Sequence, residues 1–420
     1  MLTHLRKVAV GIIGISLIAT LGACGGSAAS GKTEVKFFNG KTESVKMMDT
    51  LISEFNKQSE DYKVVQEFQK DASTALQQKF ASGDVPDVVS ADITQDYIDN
   101  GLFQDLSKDD FWNGVDPSIK EIVTDAKSGK QYKVALTKSI GGVFYNKDLI
   151  SNVKTDSWDD FTTSLKAAGG SATPLFLGGK DSWTLGQLMD FWGHGLVKQE
   201  YSLVKAKQLF VDNKQKTLKF SSDNGPIAVF ADRLQEMKSA GLINSNAATA
   251  SYDDQIAAFA EGKAVAIPQG IWAVSAIKEK NPKINIGFAA FAPMEEGKKP
   301  VVLSAEDSTL GIPSKAKNAD GAKAFITFLL KKGNLKRYSE ALNLPSAYSD
   351  VDSNWIDNPE EFKTVIDDAV SIGFTSYPSG FSSDDSGRYV QALLSGQYSN
   401  TDDFVKAYSD AWNKAWDNAN

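Results

Sequence analysis

Two adjacent carboxylates, Glu306 and Asp307, are the residues that first suggest acid–base chemistry. Hydrolysis of a glycosidic bond needs its two carboxyl groups on opposite sides of that bond, roughly 5–10 Å apart, and adjacent residues diverge from such an arrangement. Nucleophilic and metal chemistry are poorly supplied too. The chain has two histidines, His4 and His194, and one cysteine, Cys24. His4 falls in a segment with the features of a cleaved signal, so a zinc site or an imidazole base would rest on His194 alone. His194, set in Trp192-Gly193-His194-Gly195, is therefore read as structural, and no metal or cofactor is expected. Other polar residues sit where ligands collect. Asn39-Gly40-Lys41 and Ser90-Ala91-Asp92 each follow a short β-rich run, and open parallel sheets bind ligands beyond the carboxyl ends of their strands.

Residues 1–7 carry His4, Arg6 and Lys7, and residues 8–21 hold no charge. A basic head, an apolar middle and small residues before a cleavage point make an export signal. The apolar run is shorter than the roughly 20 residues that span a bilayer. Leu21-Gly22-Ala23-Cys24 resembles the bacterial lipobox, which implies cleavage before Cys24 and lipid modification of its thiol. The mature protein would then be anchored to the cell membrane and face outside the cytoplasm. A lone cysteine forms no internal disulfide, so this is not a disulfide scaffold despite export. Residues 25–32, rich in Gly, Ser and Ala, read as a flexible tether.

The elements that must position these groups alternate. Residues 34–38 read as a strand ending at the Asn39-Gly40 turn, followed by a helix with Val45, Met48, Leu51, Ile52 and Phe55 on one face. Residues 62–68 and 86–89 are further strands and 73–81 a further helix, a pattern that predicts a parallel sheet with helices on its faces. Residues 132–136 and 142–145 read as two β-rich runs around Thr137-Lys138-Ser139. Helices are predicted over 158–168, 185–192, 226–240 and 319–330, with short strands at 175–177, 264–267, 286–291 and 301–303. Two amphipathic helices close the chain. With 45 Lys and Arg against 53 Asp and Glu, the net charge is −8 and no basic run exists, which argues against nucleic acid. A chain of about 400 mature residues suggests two domains.

The ordered motifs resemble the extracellular solute-binding proteins of carbohydrate ABC importers, the family that includes the maltose- and multiple-sugar-binding proteins. The resemblance rests on Phe37-Phe38-Asn39-Gly40-Lys41, on Phe80-Ala81-Ser82-Gly83 leading to Pro86-Asp87-Val88-Val89, and on Phe144-Tyr145-Asn146-Lys147-Asp148-Leu149. It continues through Ser157-Trp158-Asp159-Asp160-Phe161, Phe259-Ala260-Glu261-Gly262-Lys263-Ala264, Gly270-Ile271-Trp272 and Leu394-Ser395-Gly396. It implies an α/β fold of two lobes joined by three crossing segments, near 138–142, 292–307 and 342–348, with a ligand cleft between the lobes. The implied lobes are 33–139 with 307–343, and 140–306 with 344–420, after a 1–23 signal and a 24–32 tether. It further implies a monomeric receptor, not an enzyme, whose partners are a saccharide, the permease subunits of an ABC transporter and the membrane that holds its lipid.

A neutral sugar offers hydroxyls on its edge and C–H groups on its face, so planar polar side chains and aromatic rings recognise it. By position in the motifs, the resemblance assigns hydroxyl contacts to Asn39, Lys41, Glu43 and Asp92. Ser139 falls in the first crossing, where the maltose binder has a carboxylate. Asp181 and Trp183 match an acid and an aromatic, Trp272 an aromatic platform, Glu306 and Asp307 the second crossing, and Phe381 a cap from the second lobe. Two other readings compete. One is a secreted glycoside hydrolase. The other is a same-fold receptor for a charged solute such as a phosphorylated polyol, although only Arg233, Arg337 and Arg388 would remain in the mature chain.

Overall fold

The computed structural model describes residues 31–69, 72–168, 170–211, 218–378 and 380–419; the export signal and Cys24 lie outside them. Strand β1 (Thr33–Asn39) leads through the helix Val45–Gln58 to β2 (Tyr62–Phe68), and a further helix leads to β3 (Val88–Ser90). The sheet order is β2-β1-β3 and both pairings are parallel. Helix crossovers enforce this, because parallel neighbours cannot be joined by a tight hairpin. The helix Val45–Gln58 buries Met48, Leu51, Ile52 and Phe55 of the predicted stripe, while Val45 at its start is half-buried. Phe55 and Phe37 both meet the edge of Phe325, from the helix Ala319–Leu329.

The second sheet is mixed and larger. Strands β4 (Val134–Asn146), β5 (Thr173–Leu175), β6 (Ala264–Gly270), β8 (Val301–Leu310) and β9 (Val370–Ile372) lie in the order β5-β6-β4-β8-β9, and β7 (Ile286–Ala289) also pairs with β4. Strand β4 is one continuous element, not two runs. Its side chains alternate between cores, with Phe144 on one and Val143 and Tyr145 on the other.

The two lobes built on these sheets are joined where β4 meets two other segments. Thr137 of β4 pairs with Asp307 of β8 on one side and with Ser346 on the other. Lys138 N donates to Pro345 O at 2.9 Å and Ala347 N to Leu136 O at 3.1 Å. All three crossing segments therefore run side by side. Strand β8 reaches Leu310, beyond the predicted 301–303, and Ser308 within it holds φ +49°. A non-glycine residue in the left-handed region costs on the order of 1–3 kcal/mol and persists only where neighbours over-determine it. Ser308 Oγ donates to Asp307 Oδ1 at 2.8 Å and accepts from Thr137 Oγ1 at 3.1 Å.

In the second lobe, the helices Ser182–Leu188 and Ser383–Leu394 cross at contact distance. A Cβ on Gly387 would sit 1.8 Å from Ser182 O, and one on Gly186 would sit 2.0 Å from Ser383 O. Each obstacle is backbone, which cannot swing aside. Gly387→Ala is therefore expected to destabilise the protein by about 1–3 kcal/mol, the usual range for overpacking. Urea denaturation with an unchanged midpoint would contradict the close crossing.

Candidate functional site

A cleft of about 1180 Å³ lies between the lobes. Its walls are the loops that follow β1 and β3, the crossing residues 306–309 and the irregular segment that follows β9. The first two are the carboxyl ends of parallel strands, as the alternation predicted. Gly40 N donates to Ser90 O at 2.7 Å and ties the two loops together. A Cβ on Gly40 would lie 2.4 Å from that of Ala72, so this approach requires glycine.

Asn39 is fully enclosed. Its Nδ2 donates to Ser44 Oγ at 3.0 Å and to Gln66 Oε1 at 2.8 Å, and its Oδ1 accepts from Lys41 N at 3.0 Å. It shapes the loop that presents Lys41 and Glu43 to the cleft. Asp307 is the hub of the crossing. Lys41 Nζ lies 2.8 Å from Asp307 Oδ1, while Ser139 Oγ donates to Oδ2 at 3.0 Å. Ser139 is buried beneath this carboxylate and is not among the lining residues.

Glu306 pairs separately with Lys133 at 2.7 Å. Burial alone would lower the Lys133 ammonium, but the Glu306 charge and hydrogen bond override it and hold it above its ordinary value. Lys207, from the helix Leu203–Val211, is pushed down by burial and by the nearby Lys133 charge. Asp92 lines the cleft and is exposed. Thus Lys41, Glu43, Asp92, Glu306 and Asp307 come together on one wall. Each of the adjacent carboxylates is paired with its own lysine.

Phe381 reaches the cleft only at its base. It is 8 % exposed and packs against Tyr377, Tyr408 and Trp412 at ring distances of 5.7–5.9 Å. Tyr377 and Trp416 also line the cleft but are half-buried, whereas Phe374 lines it and is 43 % exposed, with its ring 6.1 Å from Phe191. Sequence reasoning missed it. Its only signal is a position just past the end of β9, and an exposed phenylalanine looks like a core one in a sequence.

Asp181, Trp183 and Trp272 lie outside the lining of the main cavity. Asp181 Oδ2 accepts from Tyr252 N at 2.7 Å, and the Trp183 and Tyr252 rings lie 5.1 Å apart. Burial, with the negative charges of Asp253 and Glu43, pushes the Tyr252 hydroxyl up to about 12. Trp272 Nε1 donates to Gln269 Oε1 at 3.1 Å, and its indole covers Gly270, where a Cβ would lie 2.0 Å from the ring.

Two sheets and three adjacent crossings frame a polar cleft between the lobes. The profile of the bacterial extracellular solute-binding proteins matches residues 50–364. The chain belongs to that family. A multiple sugar-binding protein of Streptococcus mutans serotype c is 28 % identical over 364 residues, covering 81 % of this chain and 82 % of the relative. Among solved structures, the binding protein MsmE of Bacillus subtilis, in an open conformation, superposes with TM-score 0.77 at 21 % identity, covering 93 % and 99 % of the two chains. Ligand-free RafE of Streptococcus pneumoniae gives 0.76 at 24 % identity, covering 93 % and 100 %, and RafE in complex with raffinose gives 0.72. This solute-binding protein therefore has the family's two-lobe α/β fold, with the cleft at the lobe junction.

Proposed function

We propose that this solute-binding protein captures a neutral oligosaccharide by lobe closure and delivers it to an ABC importer. The cleft's chemistry carries the reading. Its lining holds eight carboxylates and four ammonium groups, with Phe374 as an exposed ring. Carboxylates accept charge-assisted hydrogen bonds from sugar hydroxyls, lysines donate to them, and an aromatic face packs on C–H groups. The carboxylate excess repels a phosphate or carboxylate ligand, which disfavours the charged-solute alternative. Support also comes from the sugar named in the relatives' descriptions.

Residues 33–139 with 307–343 and residues 140–306 with 344–420 are assigned to the two moving lobes. Closure requires only a few residues to absorb the dihedral change, and the side-by-side crossing at Thr137, Asp307 and Ser346 is where we place it. A ligand that touches both lobes only in the closed state supplies the driving energy. Lys41, Asp92 and Asp307 would meet it from one side and Phe374 from the other. Trp183 and Trp272 extend the second lobe's surface for a longer chain of sugar units.

A thermal-shift screen with raffinose, stachyose and other neutral oligosaccharides tests this reading. A ligand at 100 times its dissociation constant stabilises by about 2.7 kcal/mol, and phosphorylated polyols should give no shift. Incubation with the same sugars should release no shorter product; release would favour the hydrolase. We also assign the lipid anchor to Cys24. One acyl chain binds a membrane only marginally, so the anchor needs a second. Cys24→Ser is expected to move the protein from the membrane fraction to the medium or periplasm with sugar affinity unchanged. Its retention at the membrane would exclude the anchor.

A further inference from the structure

The wall that carries Phe374 has no ladder of its own. Residues 373–378 adopt no regular structure, and among the described residues no backbone–backbone hydrogen bond ties residues 373–377 in place. Side chains hold it instead. Lys198 Nζ donates to Gly373 O at 2.9 Å and to Asp190 O at 3.2 Å. Asp190 Oδ2 accepts from Thr375 N at 3.4 Å, and its Oδ1 accepts from Tyr377 OH at 3.1 Å. His194 Nδ1 lies 2.9 Å from Thr375 Oγ1 and 3.1 Å from Asp190 Oδ1, and its Nε2 lies 3.0 Å from Tyr408 OH.

The three supporting residues come from one stretch of chain. Met189–Gly193 is a π-helical turn, a rare geometry often found at functional sites, and it leads through His194 into the helix Gly195–Lys198. Phe220 stacks on the imidazole at 5.2 Å with an 8° interplanar angle, and Phe210 and Trp412 close the remaining sides. Burying a carboxylate, an ammonium and an imidazole together is costly unless each is paired and hydrogen-bonded. Three apolar residues would fill this space more cheaply, but they could not grip the carbonyl of residue 373, the amide of 375 and the hydroxyls of 375 and 377.

We infer that Asp190, His194 and Lys198 are positioning residues, which fix the 373–377 wall and thereby aim Phe374 at the ligand from beneath the cleft. None of the three lines the cleft, and each acts through the backbone and hydroxyls it holds. The inference rests on the saccharide reading only for which ligand feels the effect. The grip on the wall is a property of the ligand-free protein.

Two variants of the full chain test it. Thr375→Val removes only the wall's hydroxyl, and the pair Asp190→Asn with Lys198→Met removes both buried charges together. In ligand-free protein, amide hydrogen exchange of the peptide spanning 371–378 should accelerate at least tenfold in either variant. Peptides from the helix Pro226–Ser239 should stay within twofold. Raffinose affinity, by calorimetry, should weaken at least tenfold in Thr375→Val but by less than twofold when the same change is made in Phe374→Ala. That non-additivity marks action through Phe374, since a merely structural role would leave the two losses additive. Unchanged exchange at 371–378, acceleration spread over the whole lobe, or additive losses would each overturn the proposal. Failure of the parent protein to bind raffinose would count against the saccharide reading, and the exchange measurement would still decide the positioning role.

Discussion

Lys198→Met is expected to lower the unfolding free energy by about 3–5 kcal/mol, the range for breaking a buried ion pair by removing one partner. The size follows from what is left behind. Asp190 is 1 % exposed, and the Lys198 ammonium stands 3.7 Å from its Oδ1. Burial alone would raise the Asp190 carboxyl, but Lys198 and His194 override it and hold it down to about 2. Without the ammonium, a carboxylate stays buried among aromatic rings with two neutral donors and one imidazole. Adding Asp190→Asn should restore part of the loss, because neutral partners no longer carry a charge into the core.

The same cluster contributes to the acid limb of stability. Burial holds the His194 imidazole below its ordinary value, so the folded protein keeps it neutral while the unfolded chain takes up a proton below about pH 6.5. The unfolded state then binds more protons, and stability falls as pH drops. Asp190 adds a second loss at lower pH. Its contribution is complete above the unfolded value of about 4 and is lost as pH falls toward the folded value. Denaturation midpoints between pH 7 and pH 3 should decline in these two stages. A flat profile from pH 7 to pH 5 would contradict a buried neutral His194.

Phe374→Ala is expected to weaken oligosaccharide binding by about 2 kcal/mol or more, the scale of a truncated hot-spot aromatic. The ring is 43 % exposed in the free protein and faces the cleft, so a sugar that packs on it buries apolar surface not yet committed to the core. For the same reason the change should cost little stability, within about 0.5 kcal/mol of the parent. Phe374→Trp keeps a planar face and should retain most of the affinity. Calorimetry on the three proteins separates the cases. A large stability loss in Phe374→Ala would mean that the ring is structural.

The first lobe was legible because its periodicities are clean. The helix Val45–Gln58 and strands β1 and β2 fall where the pattern places them, and the polar turns after β1 and β3 mark the cleft. The crossing strands were harder to read. Thr137 and Ser139 look like turn residues between two β-rich runs, yet both are buried inside β4, their hydroxyls spent on Asp307 and Ser308. Polar residues at 304 and 306–308 likewise hid the length of β8. Their partners lie about 170 residues away in the chain, and one sequence does not display such pairings. His194 is fully buried, and its partners at 375 and 408 are equally remote. Phe374 escaped because exposure is decided by the fold around it, not by residue type.

A crystal structure of the protein grown with stachyose tests the central claim most directly. Closed lobes are expected, with the sugar between Lys41 and Asp307 on one side and the Phe374 ring on the other and at least one hydroxyl bonded to a cleft carboxylate. Sugar bound outside this cleft, or bound within it without touching either Asp307 or Phe374, would contradict it.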